Sequence, residues 1–93
     1  MLHKTTQFKR KEERFKKKNY DMGLLNQALK NLSNNDKEKL SSLHHDHKLF
    51  RGGREMHVSK RNDDWLVYYE REGDKINLID MGGHDELHKG TRM

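Results

Sequence analysis

The fold is decided by residues 55–79, which read EMHVSKRNDDWLVYYEREGDKINLI. Three segments of this stretch are rich in apolar and aromatic residues, and each has the length of a strand. They cover residues 55–59, 65–69 and 76–79. The turn sequence Glu72-Gly73-Asp74 lies between the last two segments and predicts a hairpin. Consecutive short strands joined by turns indicate a small, mainly antiparallel sheet.

The first predicted strand has two different faces. Met56 and Val58 point to one side, and Glu55, His57 and Ser59 point to the other, because side chains alternate along a strand. We expect the side with Met56 and Val58 to be buried and the side with His57 to be open to solvent. An open sheet face with titratable groups is where we expect the chemistry of this protein.

Upstream of the sheet, residues 7–19 predict a helix that is rich in Lys and Arg, and residues 4–8 suggest a short opening strand. Phe8 and Phe15 are the apolar residues of the helix and fall on one of its faces. The basic outer face fits two interpretations. It is either an ordinary solvated surface or a contact surface for RNA phosphates.

A second helix is predicted to begin after Asp21, which is a natural N-cap, and to end at residues 33–36. Its apolar residues recur at helical spacing and predict a buried face. These residues are Leu25, Ala28, Leu29 and Leu32. The fold class is therefore α+β, with two N-terminal helices packed on one face of a small, mainly antiparallel sheet.

Composition bounds the function. A chain of 93 residues predicts a single domain over residues 1–93, and its net charge of +5 favours a polyanionic partner. Only 30% of the residues are hydrophobic and 38% are charged, which suggests that a partner helps to stabilise the chain. The sequence has no cysteine and no apolar run that could span a membrane, so we expect a cytoplasmic protein.

Histidine is the residue type that stands out in the C-terminal half, with His44, His45 and His47 close together and His57 and His84 further on. Imidazole titrates near neutral pH and can therefore act as a general acid or base. RNA cleavage without a metal needs a base for the ribose 2′-OH, an acid for the leaving 5′ oxygen and cations for the phosphorane. These residue types are all present, so a small ribonuclease is the leading hypothesis.

Zinc binding is an alternative use of the same histidines. His84 and His88 are four residues apart and could combine with the group at residues 44–47. The zincin motif requires Glu directly after its first His, whereas Asp85 occupies that position here. His44 and His45 are interpreted as loop surface.

From Asp46 onward the chain resembles the YafQ branch of the RelE/ParE superfamily of bacterial toxins. Four motifs in the family's order carry the resemblance. They are Asp46-His47-Lys48-Leu49, Gly52-Gly53-Arg54-Glu55-Met56-His57-Val58, Asp64-Trp65-Leu66-Val67-Tyr68-Tyr69 and Gly82-Gly83-His84-Asp85-Glu86-Leu87-His88. The helical N-terminal half matches the family in its layout.

The resemblance implies a microbial-RNase-like domain that acts as the toxin of a type II toxin–antitoxin pair. It implies mRNA cleavage, usually in the ribosomal A site, without a metal or another cofactor. His47, His57, Asp64 and His84 would form the acid–base set, with His57 or His47 as the base and His84 and Asp64 on the leaving-group side. The implied partners are a cognate, DinJ-like antitoxin, mRNA and the ribosome, with DNA reached only through the antitoxin and no membrane.

This chain departs from the family pattern at three places. Asp80 stands where members often have an Arg that neutralises the phosphorane, so other cations would have to bind the phosphate. The candidates are Lys48, Arg51, Arg54 and Arg61. His88 replaces a usual aromatic residue and is a further RNA-binding candidate. The loop of residues 59–63 is longer than the family turn, so Asp63 and Asp64 compete for one role.

Two other functions remain open. A gyrase-directed, ParE-like toxin would act by protein binding, although such toxins generally lack the histidine set. A catalytically silent relative would bind RNA without cutting it, an alternative that Asp80 keeps open. Trp65 is interpreted as a core residue rather than a residue that stacks on a base.

Overall fold

The computed structural model describes residues 2–50, 52–59, 62–83 and 87, with residues 62 and 63 described by their backbone alone. Three helices precede most of a five-stranded sheet. In chain order the elements are β1 (Leu2–Lys4), α1 (Thr6–Lys17), α2 (Met22–Ser33), α3 (Lys37–Ser42), β2 (His47–Lys48), β3 (Arg54–Ser59), β4 (Asn62–Glu72) and β5 (Lys75–Gly82).

The strands lie in the order β1-β5-β4-β3-β2. β1 runs parallel to β5, and every other neighbouring pair is antiparallel. The helices pack their apolar residues on one face of this sheet. The predicted α+β class is thus confirmed, and α3 and the two-residue strand β2 are additions to it.

α1 begins at Thr6 because Thr5 caps it. The Thr5 hydroxyl accepts a hydrogen bond from the Phe8 amide at 3.2 Å and donates one to the Leu78 carbonyl of β5 at 2.8 Å. The suggested strand at residues 4–8 is therefore wrong, since the strand ends at Lys4. Phe8 and Phe15 are both buried, as their spacing predicted.

α2 has the cap and the buried face that the sequence predicted. Asp21 accepts hydrogen bonds from the amides of Gly23 at 2.9 Å and Leu24 at 3.4 Å. Its buried residues include the four predicted ones, Leu25, Ala28, Leu29 and Leu32. Each fully buried leucine stabilises the fold by about 1.5–3 kcal/mol.

The core joins the helices to the central strand through aromatic rings. Trp65 of β4 is buried and stacks on Phe15 with the ring centroids 5.7 Å apart. Tyr20 meets the Trp65 ring edge-on at 4.9 Å. The interpretation of Trp65 as a core residue is confirmed.

The β3–β4 connection corrects the prediction of a long loop. Ser59 pairs with Asn62, so only two residues separate the strands. The register shifts between His57 and Ser59, which is a bulge that absorbs the extra chain length. The β4–β5 hairpin closes at the predicted turn, where Glu72 pairs with Lys75 and Gly73 has a φ of +61°.

Candidate active site

The strand register aligns two rows of residues on the sheet face opposite the helices, which we call the open face. His47, Glu55, Tyr68 and Asp80 pair in succession across β2, β3, β4 and β5. In the adjacent row, His57 pairs with Leu66, and Leu66 pairs with Gly82. Paired residues of neighbouring strands project from the same face of a sheet. The open face is less exposed than predicted, because Glu55 and Leu66 are both buried.

Three imidazoles meet at the β2 side of the open face, and we call them the histidine cluster. The ring centroids of His45 and His47 are 5.2 Å apart, and those of His45 and His57 are 5.6 Å apart. His47 and His57 were predicted site residues, and the structure brings them together around His45. His45 itself was interpreted as loop surface, and it is exposed.

His47 is oriented through its ring Nδ1, which lies 2.8 Å from the His45 carbonyl oxygen. A carbonyl can only accept, so Nδ1 carries a hydrogen and the Nε2 of the neutral ring keeps its lone pair. Nε2 lies 3.6 Å from Oε1 of Glu55, whose side chain is only 2% exposed. Nε2 is therefore the ring nitrogen of His47 that can accept a proton, and the Glu55 carboxylate lies beside it.

Glu55 is a site residue that the sequence analysis did not select. The alternation of β3 placed its side chain on the His57 face, which was the available signal. Its contact with His47 depends on β2, a strand of two residues with no periodicity to detect. Its near-complete burial would keep the carboxylate in a fixed position beside the ring.

His44 is a structural residue, which corrects its interpretation as loop surface. Its ring is buried, with Nδ1 2.8 Å from the His57 carbonyl oxygen and Nε2 3.0 Å from the Asn31 amide nitrogen. The His57 amide also donates to the His44 carbonyl at 2.6 Å. With both ring nitrogens engaged, His44 fixes the backbone of β3 at His57.

Asp64 lies on the open face, because it alternates with buried Trp65 and precedes Leu66 by two residues. Its carboxylate packs against the backbone of Gly83, where an added Cβ would come within 2.5 Å of Oδ2. Gly83 directly precedes His84 in the chain. The choice between Asp63 and Asp64 for the site role stays a prediction, because the side chain of Asp63 lies outside the described part of the chain.

Several predicted residues fall outside the described part of the chain. These are His84, His88, Arg51 and Arg61. Lys48 is exposed and pairs with Arg54 at the β2–β3 edge. The alternation of these two strands places both residues on the face opposite His57, so the structure does not bring them to the histidine cluster.

Arg54 belongs to a polar network with Asp46 and Tyr69. Its Nε donates to Oδ1 of Asp46 at 2.7 Å, and the Tyr69 hydroxyl donates to Oδ2 of the same carboxylate. The hydrogen bond that Arg54 donates to Asp46 raises the pKa of Arg54, and burial, followed by the Asp46 contact, raises the pKa of Tyr69 above its usual range. The network ties β2 to β3 and β4, and the phosphate contact of Arg54 stays a prediction.

The negative charge of Asp80 is compensated by a lysine of α1. The Nζ of Lys11, from α1, lies 3.1 Å from its Oδ1 and also donates to the Met81 carbonyl at 3.2 Å. Lys11 is 7% exposed, which makes it a buried cation behind the sheet row. The repulsion of phosphate that Asp80 implies is therefore offset by a residue that no sequence pattern singles out.

A cleft of about 710 Å³ lies on the open face beside the histidine cluster. Glu55, Tyr68 and Asp80 of the first row contribute to its lining. The other residues that line it come from the start of α1, the β2–β3 turn, β5 and the C-terminal segment. They are Thr5, Gln7, Leu49, Phe50, Gly52, Ile79 and Leu87. The cleft is large enough for part of an extended polymer, since ligand pockets commonly measure about 300–1,000 Å³.

Within the described residues, no group of three or more His, Asp or Glu side chains has the geometry of a metal site. The zinc alternative depended partly on His84 and His88, which lie outside that part of the chain. The helices among the described residues include none with the length and apolar character needed to cross a membrane.

Solved structures with the same fold come from two bacteria. YafQ in the Escherichia coli DinJ–YafQ complex is 26% identical, with a TM-score of 0.78, over 94% of this chain and 96% of that one. A copper-bound mutant toxin from Helicobacter pylori is 26% identical, with a TM-score of 0.77, over 92% and 96% of the two chains. A comparison with curated proteins gives no match.

The sheet order and the packing of the helices on one face give this chain the fold of the YafQ toxin. The family model described as the bacterial toxin of a type II toxin–antitoxin system, YafQ, matches residues 1–89. The chain belongs to the YafQ family, as its motifs predicted.

Proposed function

We propose that this toxin is a metal-independent endoribonuclease that cleaves mRNA, at the ribosomal A site, and thereby inhibits translation. The observation that carries the proposal is the convergence of His47, His57 and Asp64 on one sheet face. His47 lies beside Glu55, which lines the cleft, and Asp64 packs against Gly83, which precedes His84 in the chain. Such a set can supply both a base and an acid without a bound metal.

The proposed reaction begins when His57 or His47 removes the proton of the ribose 2′-OH. The 2′ oxygen then attacks the adjacent phosphorus, and His84 with Asp64 protonates the leaving 5′ oxygen. The products are a 2′,3′-cyclic phosphate and a free 5′-OH. His47 suits the base role because its Nε2 lone pair is free of the His45 contact and lies near the Glu55 carboxylate.

The proposed partners follow from the relatives and from the reaction. Escherichia coli YafQ forms a complex with DinJ, so we assign this toxin a DinJ-like cognate antitoxin, through which it would reach DNA. Its substrate would be mRNA on the ribosome, which places its action in the cytoplasm. The copper in the Helicobacter pylori relative makes a metal requirement the rival that the experiment must test.

The catalytically silent alternative loses its main support from the sequence. It rested on Asp80, whose charge is offset by Lys11 at 3.1 Å. The gyrase-directed alternative has no specific observation in its favour, since the open face carries the histidines that such toxins generally lack.

The experiment compares His57→Ala, His47→Ala and Asp64→Asn with the wild type in an mRNA cleavage assay. Loss of a general acid or base typically lowers the rate by about 10²–10⁴-fold. His3→Ala is the matched control, because His3 is exposed on β1, away from the cluster. We expect His3→Ala to cleave at the wild-type rate. Wild-type cleavage by both His57→Ala and His47→Ala would overturn the site assignment.

A further inference from the structure

Phe50 is the large apolar side chain that the fold leaves most exposed among the described residues. Its relative exposure is 104%, compared with 42% for Leu24 and Leu43 and 36% for Tyr20. The remaining phenylalanines, Phe8 and Phe15, are buried in the core. A full phenyl ring in water is unfavourable, so a ligand that covers the Phe50 ring would gain a hydrophobic contact.

The β2–β3 turn holds Phe50 at the edge of the cleft. The Leu49 amide donates to the Gly53 carbonyl at 3.0 Å, and the Gly52 amide donates to the Leu49 carbonyl at 3.1 Å. These bonds close a tight turn with Phe50 near its tip. The Phe50 ring is fully exposed to solvent at this turn.

Gly53 shows how closely this turn lies on the open face. Its φ is +75°, and an added Cβ would come within 2.5 Å of Cε1 of Tyr68. The backbone thus rests directly against the Tyr68 ring, and both Phe50 and Tyr68 line the cleft. Two aromatic side chains therefore border the same space.

We propose that Phe50 stacks on a nucleobase of the RNA substrate and thereby positions the strand over the histidine cluster. This inference rests on the proposed function. Aromatic side chains bind single-stranded RNA in this way, because every base has a π-face and the contact tolerates different sequences. The proposed cleavage point at His57 lies two residues along β3 from Glu55 of the cleft, a distance of about 7 Å along a strand.

The charges around the cleft do not oppose a nucleotide beside Phe50. Both carboxylates of the cleft already face a cationic or titratable partner, Glu55 with His47 and Asp80 with Lys11. Each partner offsets the negative charge of its carboxylate. The carboxylates therefore repel a nucleotide only weakly. Thr5 and Gln7 add hydroxyl and amide groups that can bond to base edges.

The first measurement is the affinity for an RNA oligonucleotide with 2′-O-methyl groups, which cannot be cleaved through its 2′ oxygen. Binding is measured to the free oligonucleotide and to 70S ribosomes that carry it. We expect Phe50→Ala to weaken binding by about 5- to 100-fold, the range of one lost base–aromatic stack. Phe50→Tyr, which keeps the ring, should bind like the wild type.

Leu43→Ala is the matched control, because Leu43 is also exposed and apolar but does not line the cleft. It should leave the affinity unchanged. Since Phe50 makes little contact with the fold, the urea midpoint of Phe50→Ala should equal that of the wild type. A change in RNA affinity then reports on the RNA contact alone.

The second measurement removes the bases of the oligonucleotide one at a time. At one abasic position the affinity of the wild type should fall by the same factor by which Phe50→Ala lowers the affinity for the intact oligonucleotide. At that position the affinity of Phe50→Ala should not fall any further. This coupling is the signature of a direct contact between the ring and that base.

Equal RNA affinity of Phe50→Ala and the wild type would overturn the inference. It would also be overturned if every abasic position lowered the affinity of Phe50→Ala as much as it lowers that of the wild type. If Phe50→Ala weakens antitoxin binding while RNA affinity is unchanged, the ring belongs to the antitoxin interface. Failure of the inference alone would leave wild-type cleavage of ordinary mRNA intact. Absence of both RNA binding and cleavage by the wild type would instead overturn the proposed function together with the inference.

Discussion

The Nδ1 atoms of His44 and His47 make the same kind of hydrogen bond, whereas their Nε2 atoms have different neighbours. In both residues Nδ1 donates to a backbone carbonyl at 2.8 Å. Nε2 of His44 accepts from the Asn31 amide, whereas Nε2 of His47 lies 3.6 Å from the Glu55 carboxylate. One histidine of the segment is thereby committed to structure, and the other is left able to exchange a proton.

The structural role of His44 predicts a cost in stability. His44→Ala leaves the buried Asn31 amide and the His57 carbonyl without these partners, which should lower the free energy of unfolding by about 1–3 kcal/mol. Urea denaturation measures the change. The same substitution at exposed His3 is the control and should shift stability by less than about 0.5 kcal/mol. Equal effects at the two positions would contradict the structural role.

Tyr69 predicts how stability depends on alkaline pH. Burial and the bond to Asp46 raise its pKa in the folded protein above the ordinary value of 10.0. Below about pH 10 the phenol is neutral in both states, so its full stabilisation is present. Above that pH the unfolded chain loses the proton first and binds fewer protons than the folded chain, so stability falls as pH rises.

Urea midpoints of the wild type and Tyr69→Phe, measured from about pH 8 to pH 11, test this expectation. The stability advantage of the wild type should stay constant up to about pH 10 and shrink above it, because phenylalanine has no proton to lose. An advantage that does not change over the whole range would show that the Tyr69 hydroxyl is not held neutral by the fold.

At the scale of the elements, periodicity predicted α2 and the central strands, and it did not reveal the short elements. α3 has six residues and β2 has two, which is too few for either pattern to repeat. β1 pairs with β5 across more than seventy residues of chain, a contact that no local pattern encodes. The bulge at residues 57–59 likewise arises from strand pairing, so the loop length inferred from the sequence was too long.

The same limits explain which parts of the candidate site could be predicted. The alternation of apolar and polar residues along β3 was enough to place His57 and Glu55 on one face. The approach of His47 to Glu55 required β2, and the approach of Lys11 to Asp80 required α1 to pack on β5. Those contacts come from tertiary packing.

The end of β5 offers a test of how Asp64 is positioned. In Gly83→Ala the new methyl group would lie 2.5 Å from Oδ2 of Asp64, so the carboxylate has to move. A displacement of about 1 Å can lower a rate by about 100-fold, and we expect a loss of up to this size in the mRNA cleavage rate. The carboxylate ends a surface side chain, so the urea midpoint should change little.

Combining Gly83→Ala with Asp64→Ala separates this mechanism from a general disturbance. If the alanine acts through the carboxylate, it should cause almost no further loss once Asp64 is gone, because the two changes are coupled. An equal loss of activity in both backgrounds would show that Gly83→Ala acts elsewhere.

At the scale of the whole molecule, charge and chemistry occupy different parts of the chain. Residues 1–40 carry 11 Lys and Arg against 5 Asp and Glu, a net +6, while residues 41–93 carry 9 against 10, a net −1. The exposed cations of α1 therefore lie on the side of the sheet that the helices cover, and the histidine cluster lies on the other side. This separation suits a protein whose basic surface attracts RNA nonspecifically and whose open face acts on one bond.

The proposed function requires that this toxin cut RNA through the ribose 2′ oxygen without a metal. The most direct measurement is end mapping of mRNA treated with the purified protein, with and without 70S ribosomes. A matched mRNA carries a 2′-deoxy nucleotide at the mapped site. EDTA is added to free RNA, and a transition-metal chelator that leaves the magnesium of the ribosome in place is used with 70S particles.

We expect cuts that leave a 2′,3′-cyclic or 3′ phosphate and a 5′-OH. They should persist with the chelators and disappear at the 2′-deoxy position. Dependence on ribosomes would support action in the A site, and cuts in free RNA would keep the nuclease without that requirement. Cleavage that survives the 2′-deoxy substitution, leaves a 3′-OH or stops with the chelators would overturn the proposed mechanism. Folded protein that makes no cuts in either setting would also contradict it.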